Sequence, residues 1–242
     1  MFKNLVGDHY YYEFLRNEIS ARSLSTVSSS ENLTLQAVAK LINHFWPKPS
    51  IIVVSSNYDT LLEEILLVNH GKKPRPIVTG EDLATANFER DLNLLKPNGD
   101  INSPASIILT LQDYCEYRHR KPTFVSTLSD LLLKKTFLFV GYGLQDFTFN
   151  SILAELRFGL GTFKRRAFVL TKDEWGIKKE VLQSLGLEVI GVPYFDDIPY
   201  ILRAISQEQT TVDIVRRRID KDRKSTRLNS SHIQKSRMPS SA

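Results

Sequence analysis

The sequence contains a single cysteine, Cys115. One thiol excludes a disulfide framework and any zinc site built from several cysteines, and the histidines show no metal-ligand spacing. No run approaches the ~20 consecutive apolar residues that a membrane-spanning helix needs. The first residues include Asp8, Glu13 and Arg16 and form no long apolar segment, unlike a secretory signal. We therefore expect a cytoplasmic protein with no membrane partner and no metal.

The C-terminal segment 222–242 distorts the charge of the chain. It reads DRKSTRLNSSHIQKSRMPSSA, shows no hydrophobic periodicity, and resembles the translated two ends of a common short-read sequencing adaptor. We interpret it as an artefactual, disordered tail. Excluding it removes five basic side chains and one acidic one, which lowers the formal net charge from +5 to +1. A nucleic-acid partner is then the weakest of the functional interpretations, because it depended on net charge.

Apolar runs of strand length alternate with amphipathic segments of helix length. The predicted strands are Ile51–Ser56, Pro76–Val78, Leu92–Lys96, Ile107–Thr110, Thr136–Gly141, Arg166–Leu170 and Leu187–Val192. The predicted helices are 10–21, Leu33–Phe45, Thr60–His70, Leu111–Arg120, Thr123–Leu133, Asp146–Phe158, Asp173–Leu185 and Asp196–Ser206. Strands separated by helices favour right-handed crossovers and parallel pairing. The pattern predicts one α/β domain over residues 1–206, with a mostly parallel sheet and helices on both faces.

Ligands of such sheets bind beyond the carboxyl ends of the strands. That rule selects three loops: Ser55–Asp59, Pro97–Asp100 and Gly141–Asp146. Each has a plainer interpretation as well. Asn57 and Asp59 are common helix caps, Asn-Gly is an ordinary turn, and Gly141 could relieve a crowded turn.

Taken together and in this order, the loops resemble a known family. The motifs are IIVVSSNYDTLLE from Ile51, a K-x-x-G-D turn from Lys96, ILTLQDYCEY from Ile108, and FLFVGYGLQD from Phe137. They are similar to the sirtuin-like domains of bacterial anti-phage defence proteins, over roughly residues 5–205. The resemblance implies a Rossmann-like α/β fold.

The resemblance also implies an activity and a site. The activity is hydrolysis of NAD, as substrate, to nicotinamide and ADP-ribose. Asn57 would orient a water molecule and the nicotinamide ribose, and Asp59 would hold the carboxamide. The remaining NAD-binding positions would be Ser56, Gly141, Tyr142, Gly143 and Asp146. Breaking the glycosidic bond leaves an oxocarbenium-like centre, which a preorganised polar site stabilises.

Two features depart from the family pattern. The family turn carries a histidine, the general base, where this chain has Asn98, and asparagine cannot take a proton near neutral pH. A natural pseudoenzyme, a single-base variant and a sequencing error would each explain the substitution. The family also opens with a central strand and a Gly-Ala-Gly phosphate loop, which nothing before Asn57 resembles. We therefore expect an N-terminally incomplete domain that is marginally stable and binds NAD poorly.

Residues 207–221 are expected to form a linker or the start of a lost downstream domain. The family resemblance implies a fused sensor or effector domain and allows a homo-oligomer. Asn98 supports an alternative function, a non-catalytic module that binds NAD or an ADP-ribose-like nucleotide or serves in assembly.

Overall fold

The computed structural model describes residues 7, 10–14, 16–18, 32–46, 51–142, 147–160, 166–172 and 177–207, without the side chains of 148, 156–160 and 177–178. The predicted site residues Gly143 and Asp146 lie outside this part of the chain. So do most of the proposed linker, 207–221, and the whole tail, 222–242.

Helices and strands alternate along the described chain. The helices are α1 (Leu33–Phe45), α2 (Leu61–His70), α3 (Gly80–Thr85), α4 (Leu111–Arg120), α5 (Pro122–Lys134), α6 (Phe147–Leu160), α7 (Ile177–Ser184) and α8 (Ile198–Ser206). The strands are β1 (Val53–Val54), β2 (Arg75–Ile77), β3 (Asn93–Leu95), β4 (Phe137–Val140), β5 (Ala167–Lys172) and β6 (Glu188–Val192). Short 3-10 turns cover Pro104–Ser106 and Phe195–Asp197, and residues 10–14 and 16–18 are helical.

The strands form two three-stranded sheets in which every neighbouring pair is parallel. The first sheet has the order β1-β3-β2 and the second the order β4-β5-β6. The predicted Rossmann-like α/β fold is confirmed, but the one predicted sheet is divided. Among the described residues no ladder joins β1 to β4.

Helices cover both faces of this divided layer. On one face, α1 packs against α2 and α8, so this helix spans the two sheets. On the other face, α5 contributes Phe124 and Leu131 to the core of the first sheet and Leu128 and Leu132 to the core of the second. The helices α1 and α5 therefore hold the two sheets together from opposite sides.

One local prediction was wrong, and one short helix was not predicted. Residues 107–110 form no strand; Ile107 and Ile108 are buried, and the Ile108 amide donates to the carbonyl of Asn98 at 2.8 Å. The short helix α3 was not predicted, because it contributes no buried side chain that would give an apolar period. It is fixed instead by a capping box between Thr79 and Asp82. Within the described residues, no helix is long and apolar enough to cross a membrane.

Candidate functional site

The first predicted loop connects β1 to α2 and presents its polar residues unequally. Ser56 and Asn57 are exposed, and the main-chain N–H of Asn57 donates to Ser55 Oγ at 3.3 Å. Asp59 is half-buried, and its Oδ1 accepts from the amide of Leu61, the first residue of α2, at 3.1 Å. Asp59 therefore satisfies the first main-chain amide of α2 from the residue before the N-cap, Thr60, while Asn57 is exposed to solvent.

The second loop, Lys96 to Asp100, is a buried turn. The Gly99 amide closes it on the carbonyl of Lys96 at 3.0 Å. Gly99 has φ of +102°, and a Cβ at this position would lie 2.5 Å from the carbonyl oxygen of Ser106. Only glycine fits, because both the backbone angle and the neighbouring main chain exclude a side chain. Asn98 is only 4% exposed, so the residue at the family's histidine position lies beneath the surface.

Lys96 connects these two loops. Its side chain is fully buried, and its ammonium Nζ donates to the main-chain carbonyl of Asp59 at 2.6 Å, to Glu63 Oε1 at 3.0 Å and to Asp100 Oδ2 at 2.5 Å. The main chain adds a further link, since the Ile101 amide donates to the carbonyl of Tyr58 at 2.9 Å. The structure thus brings the Asn57 loop and the Asn98 turn together.

The buried charges around Lys96 are unequal in number. One ammonium faces two carboxylates, Glu63 and Asp100, whose side chains are 15% and 4% exposed. Burial raises the pKa of the Glu63 carboxyl above its usual value, although the Lys96 ammonium opposes that shift. Glu63 therefore takes a proton more easily than an exposed glutamate does. A proton on Glu63 would leave one ammonium facing one carboxylate.

A second lysine holds the same turn from the opposite side. Lys121 Nζ donates to the carbonyl of Pro97 at 2.7 Å, and the Tyr117 hydroxyl reaches the same oxygen at 3.3 Å. The ammonium also lies 5.3 Å from the centre of the Phe124 ring. Burial, together with repulsion from Arg120, lowers the pKa of Lys121 to about 8. The turn is thus tied to α4 and α5 as well as to the first loop.

The third predicted loop begins at the carboxyl end of β4, in the second sheet. Gly141 is exposed with φ of +71°, and no atom lies within 4 Å of a Cβ built on it. Backbone conformation, not crowding, is therefore the reason for glycine here. Tyr142 is half-buried against Phe139, and its hydroxyl is bonded to Asn150 Oδ1. The hydrogen bonds that join the first two loops do not extend to Gly141.

The LQDY motif has a structural explanation. Thr110 and Asp113 form the capping box that starts α4, and Arg120 Nη1 donates to Asp113 Oδ1 at 2.5 Å. Burial alone would raise the pKa of Asp113, but hydrogen bonds from Thr110, Leu109 and Arg120 hold it below its usual value. The box orients α4 so that Tyr117 reaches the Asn98 turn.

Sequence reasoning quoted Glu63, Lys96 and Tyr117 within its motifs but gave them no role in the site, and it missed Lys121 altogether. One signal was available for Lys96. It directly follows the buried strand NLL, and a lysine so close to a core is almost never fully buried without a partner. Its partners Glu63 and Asp100 stand in the quoted motifs, but the sequence does not show that they meet Lys96.

Comparisons with known proteins show which family this part of the chain resembles. A family model described as the SIR2-like domain matches residues 51–190. A protein of Bacillus cereus (strain MSX-D12) named NAD(+) hydrolase ThsA is 33% identical over 120 residues, which are 50% of this chain and 25% of that protein. Its namesake in Acinetobacter baumannii (strain 532279) is 29% identical over 214 residues, 79% of this chain and 42% of that protein.

A Bacillus subtilis protein named Defense-associated sirtuin 2 is 28% identical over 144 residues, which are 57% of this chain and 14% of that protein. The chain thus spans between 14% and 42% of the length of these three relatives. The family model covers more than half of the chain and includes both connected loops and the Gly141 position. The chain belongs to the SIR2-like domain family.

Proposed function

We propose that this chain binds NAD and hydrolyses it to nicotinamide and ADP-ribose, in an anti-phage defence setting. The observation that carries the proposal is the connection of the Asn57 loop to the Asn98 turn through Lys96, at the carboxyl ends of β1 and β3. Relatives named NAD(+) hydrolase support it, and the match to the SIR2-like domain model includes both loops.

The proposed chemistry places Asn57 next to the bond that breaks. Its exposed side chain can donate and accept hydrogen bonds, and so can orient a water molecule towards the anomeric carbon. Loss of nicotinamide leaves positive charge on the ribose ring, which fixed amide and carbonyl dipoles stabilise. Ser56, Asp59, Gly141 and Tyr142 are proposed to line the rest of the NAD site, with Gly143 and Asp146 beyond the described residues.

Asn98 is proposed to support the turn without transferring a proton. An amide does not titrate near neutral pH, and this one is buried. The reaction then proceeds without a protein base at this position. General-base catalysis contributes about 10²–10⁴-fold, so we expect Asn98→His to raise the rate of nicotinamide release within that range.

The first test measures nicotinamide release and NAD binding by the 242-residue chain. We expect Asn57→Ala to abolish release, since no other exposed amide replaces it in the loop. Asn69→Ala is the matched control: Asn69 is also exposed but lies near the far end of α2, so its loss should leave the rate unchanged. NAD binding without release, in both the wild-type chain and the Asn98→His variant, would instead support the non-catalytic nucleotide-binding module.

A further inference from the structure

A buried ammonium group joins the two loops of the proposed site, beside the main-chain hydrogen bond from Ile101 to Tyr58. Lys96 Nζ has three N–H donors, and its three nearest acceptors are the carbonyl of Asp59, Glu63 Oε1 and Asp100 Oδ2, with the carbonyl of Tyr58 farther away at 3.5 Å. Asp59 is two residues from Asn57, and Asp100 is two residues from Asn98. A shift of the ammonium would therefore move both site residues relative to each other.

We propose that Lys96 is a positioning residue, which sets the geometry of Asn57 against the Asn98 turn without touching the substrate. The proposal rests on the proposed function, because it assigns a role within that site. It adds Lys96, with Glu63 and Asp100 as its partners, to the residues that determine the rate.

Stability alone is a poor explanation for this cluster. Well-packed apolar residues often replace a buried ion pair with no loss of stability, because desolvating the charges costs much of what their attraction returns. The preceding residues of β3, Leu94 and Leu95, show the apolar solution, since both are buried in the core. The chain departs from it at the one strand end where two site loops meet.

The turn is also held by hydrogen bonds that do not involve Lys96. Pro97 is held through its carbonyl by Tyr117 and Lys121, and Asn98 through its carbonyl by the amide of Ile108. The turn is thus anchored to α4 and α5 independently of Lys96. What Lys96 adds is a set of side-chain hydrogen bonds between that anchored turn and the loop that carries Asn57, beside the main-chain bond from Ile101 to Tyr58.

The first test compares steady-state nicotinamide release by the wild-type chain and by Lys96→Met, which keeps an unbranched side chain one atom shorter and removes the ammonium. Misplacing reacting groups by about 1 Å can cost on the order of 100-fold in rate. We expect kcat to fall by about that factor while KM for NAD changes little, as for an interaction that acts in the transition state.

The second test does not depend on activity. Amide hydrogen exchange is measured for Gly99 and Ile101 in the turn, and for Val169 and Leu170 in β5. We expect at least about 10-fold faster exchange of the turn amides in Lys96→Met, with the β5 amides unchanged, because local opening can occur without global unfolding. If the wild-type chain releases no nicotinamide, the proposed function fails, and exchange still decides whether Lys96 fixes the turn.

Two further variants separate positioning from a merely structural role. Leu202→Ala destabilises the second sheet and should leave kcat per folded molecule unchanged. Asp100→Asn keeps an oxygen for Lys96 and removes one charge. We expect it to lower kcat and to speed exchange of the turn amides, as Lys96→Met does, but by smaller factors. It replaces Lys96→Met in both tests if that variant does not fold. The proposal is overturned if the turn amides exchange as in the wild type, or if all amides exchange faster in proportion to lost stability.

Discussion

The two sheets of this molecule are both three-stranded and parallel, but they differ in strand order and in what they bury. In the first sheet, β3 and the turn after it bury Asn93, Lys96, Asn98 and Asp100. In the described part of the second sheet and its helices, the buried polar residues are Thr171 and Ser206. Proximity to the proposed site distinguishes them, because the first sheet carries two of its loops.

The two sheets differ in where they bury charged side chains. The second sheet is sandwiched between two apolar clusters, centred on Val169 on one face and on Leu170 on the other. Such a core can be repacked with modest loss, because it requires only volume and apolar character. The first sheet instead ends in a network in which the Lys96 ammonium and its acceptors are specifically paired, so a single change there has consequences for geometry as well as stability.

Leu202→Ala tests the second sheet and has the largest expected effect. Leu202 is fully buried on α8, beside Leu170 and Val192. Its truncation leaves a cavity and should lower the free energy of unfolding by about 2–5 kcal/mol, measured by denaturant titration. Ile205→Ala, on the same helix but 38% exposed, is the control and should cost clearly less. Equal losses would mean that the second sheet is not closely packed, and the contrast would disappear.

Gly99→Ala tests the first sheet through the backbone of the turn. The substitution meets both a positive φ and the main chain of Ser106, so about 3 kcal/mol of strain is expected. Gly71→Ala is the matched control, since Gly71 has φ of +63° with open space around it and should cost about 1 kcal/mol. Both values come from thermal or denaturant unfolding. A similar cost at both positions would show that the turn adapts and is not rigidly held.

The predictability of the molecule follows the same division. Apolar periodicity located the central segments of the six described strands, because the core selects side chains by hydrophobicity alone. It also located Asn57 and Gly141 at strand ends, where topology directs ligands. It could not show that Asn98 is buried, nor that Lys96 meets Glu63, because such contacts join positions 33 residues apart and depend on how the loops fold. The division of the layer into two sheets was equally invisible, since strand pairing is not encoded in local periodicity.

Lys121→Met tests the turn of the first sheet and has the smallest expected effect. It changes how the free energy of unfolding depends on pH. In the folded chain the pKa of Lys121 is about 8, whereas its ordinary value is 10.5. Between these two values the unfolded chain binds more protons than the folded one, so the lysine makes the free energy of unfolding rise with pH across that window. Below pH 8 both states are protonated, and the burial penalty is constant.

We expect Lys121→Met to remove this rise in denaturant titrations from pH 7 to pH 10. Lys135→Met, at the exposed end of α5, controls for the loss of one charge and should keep the wild-type slope. If Lys121→Met also keeps that slope, the Lys121 ammonium is better solvated in the folded chain than its position implies.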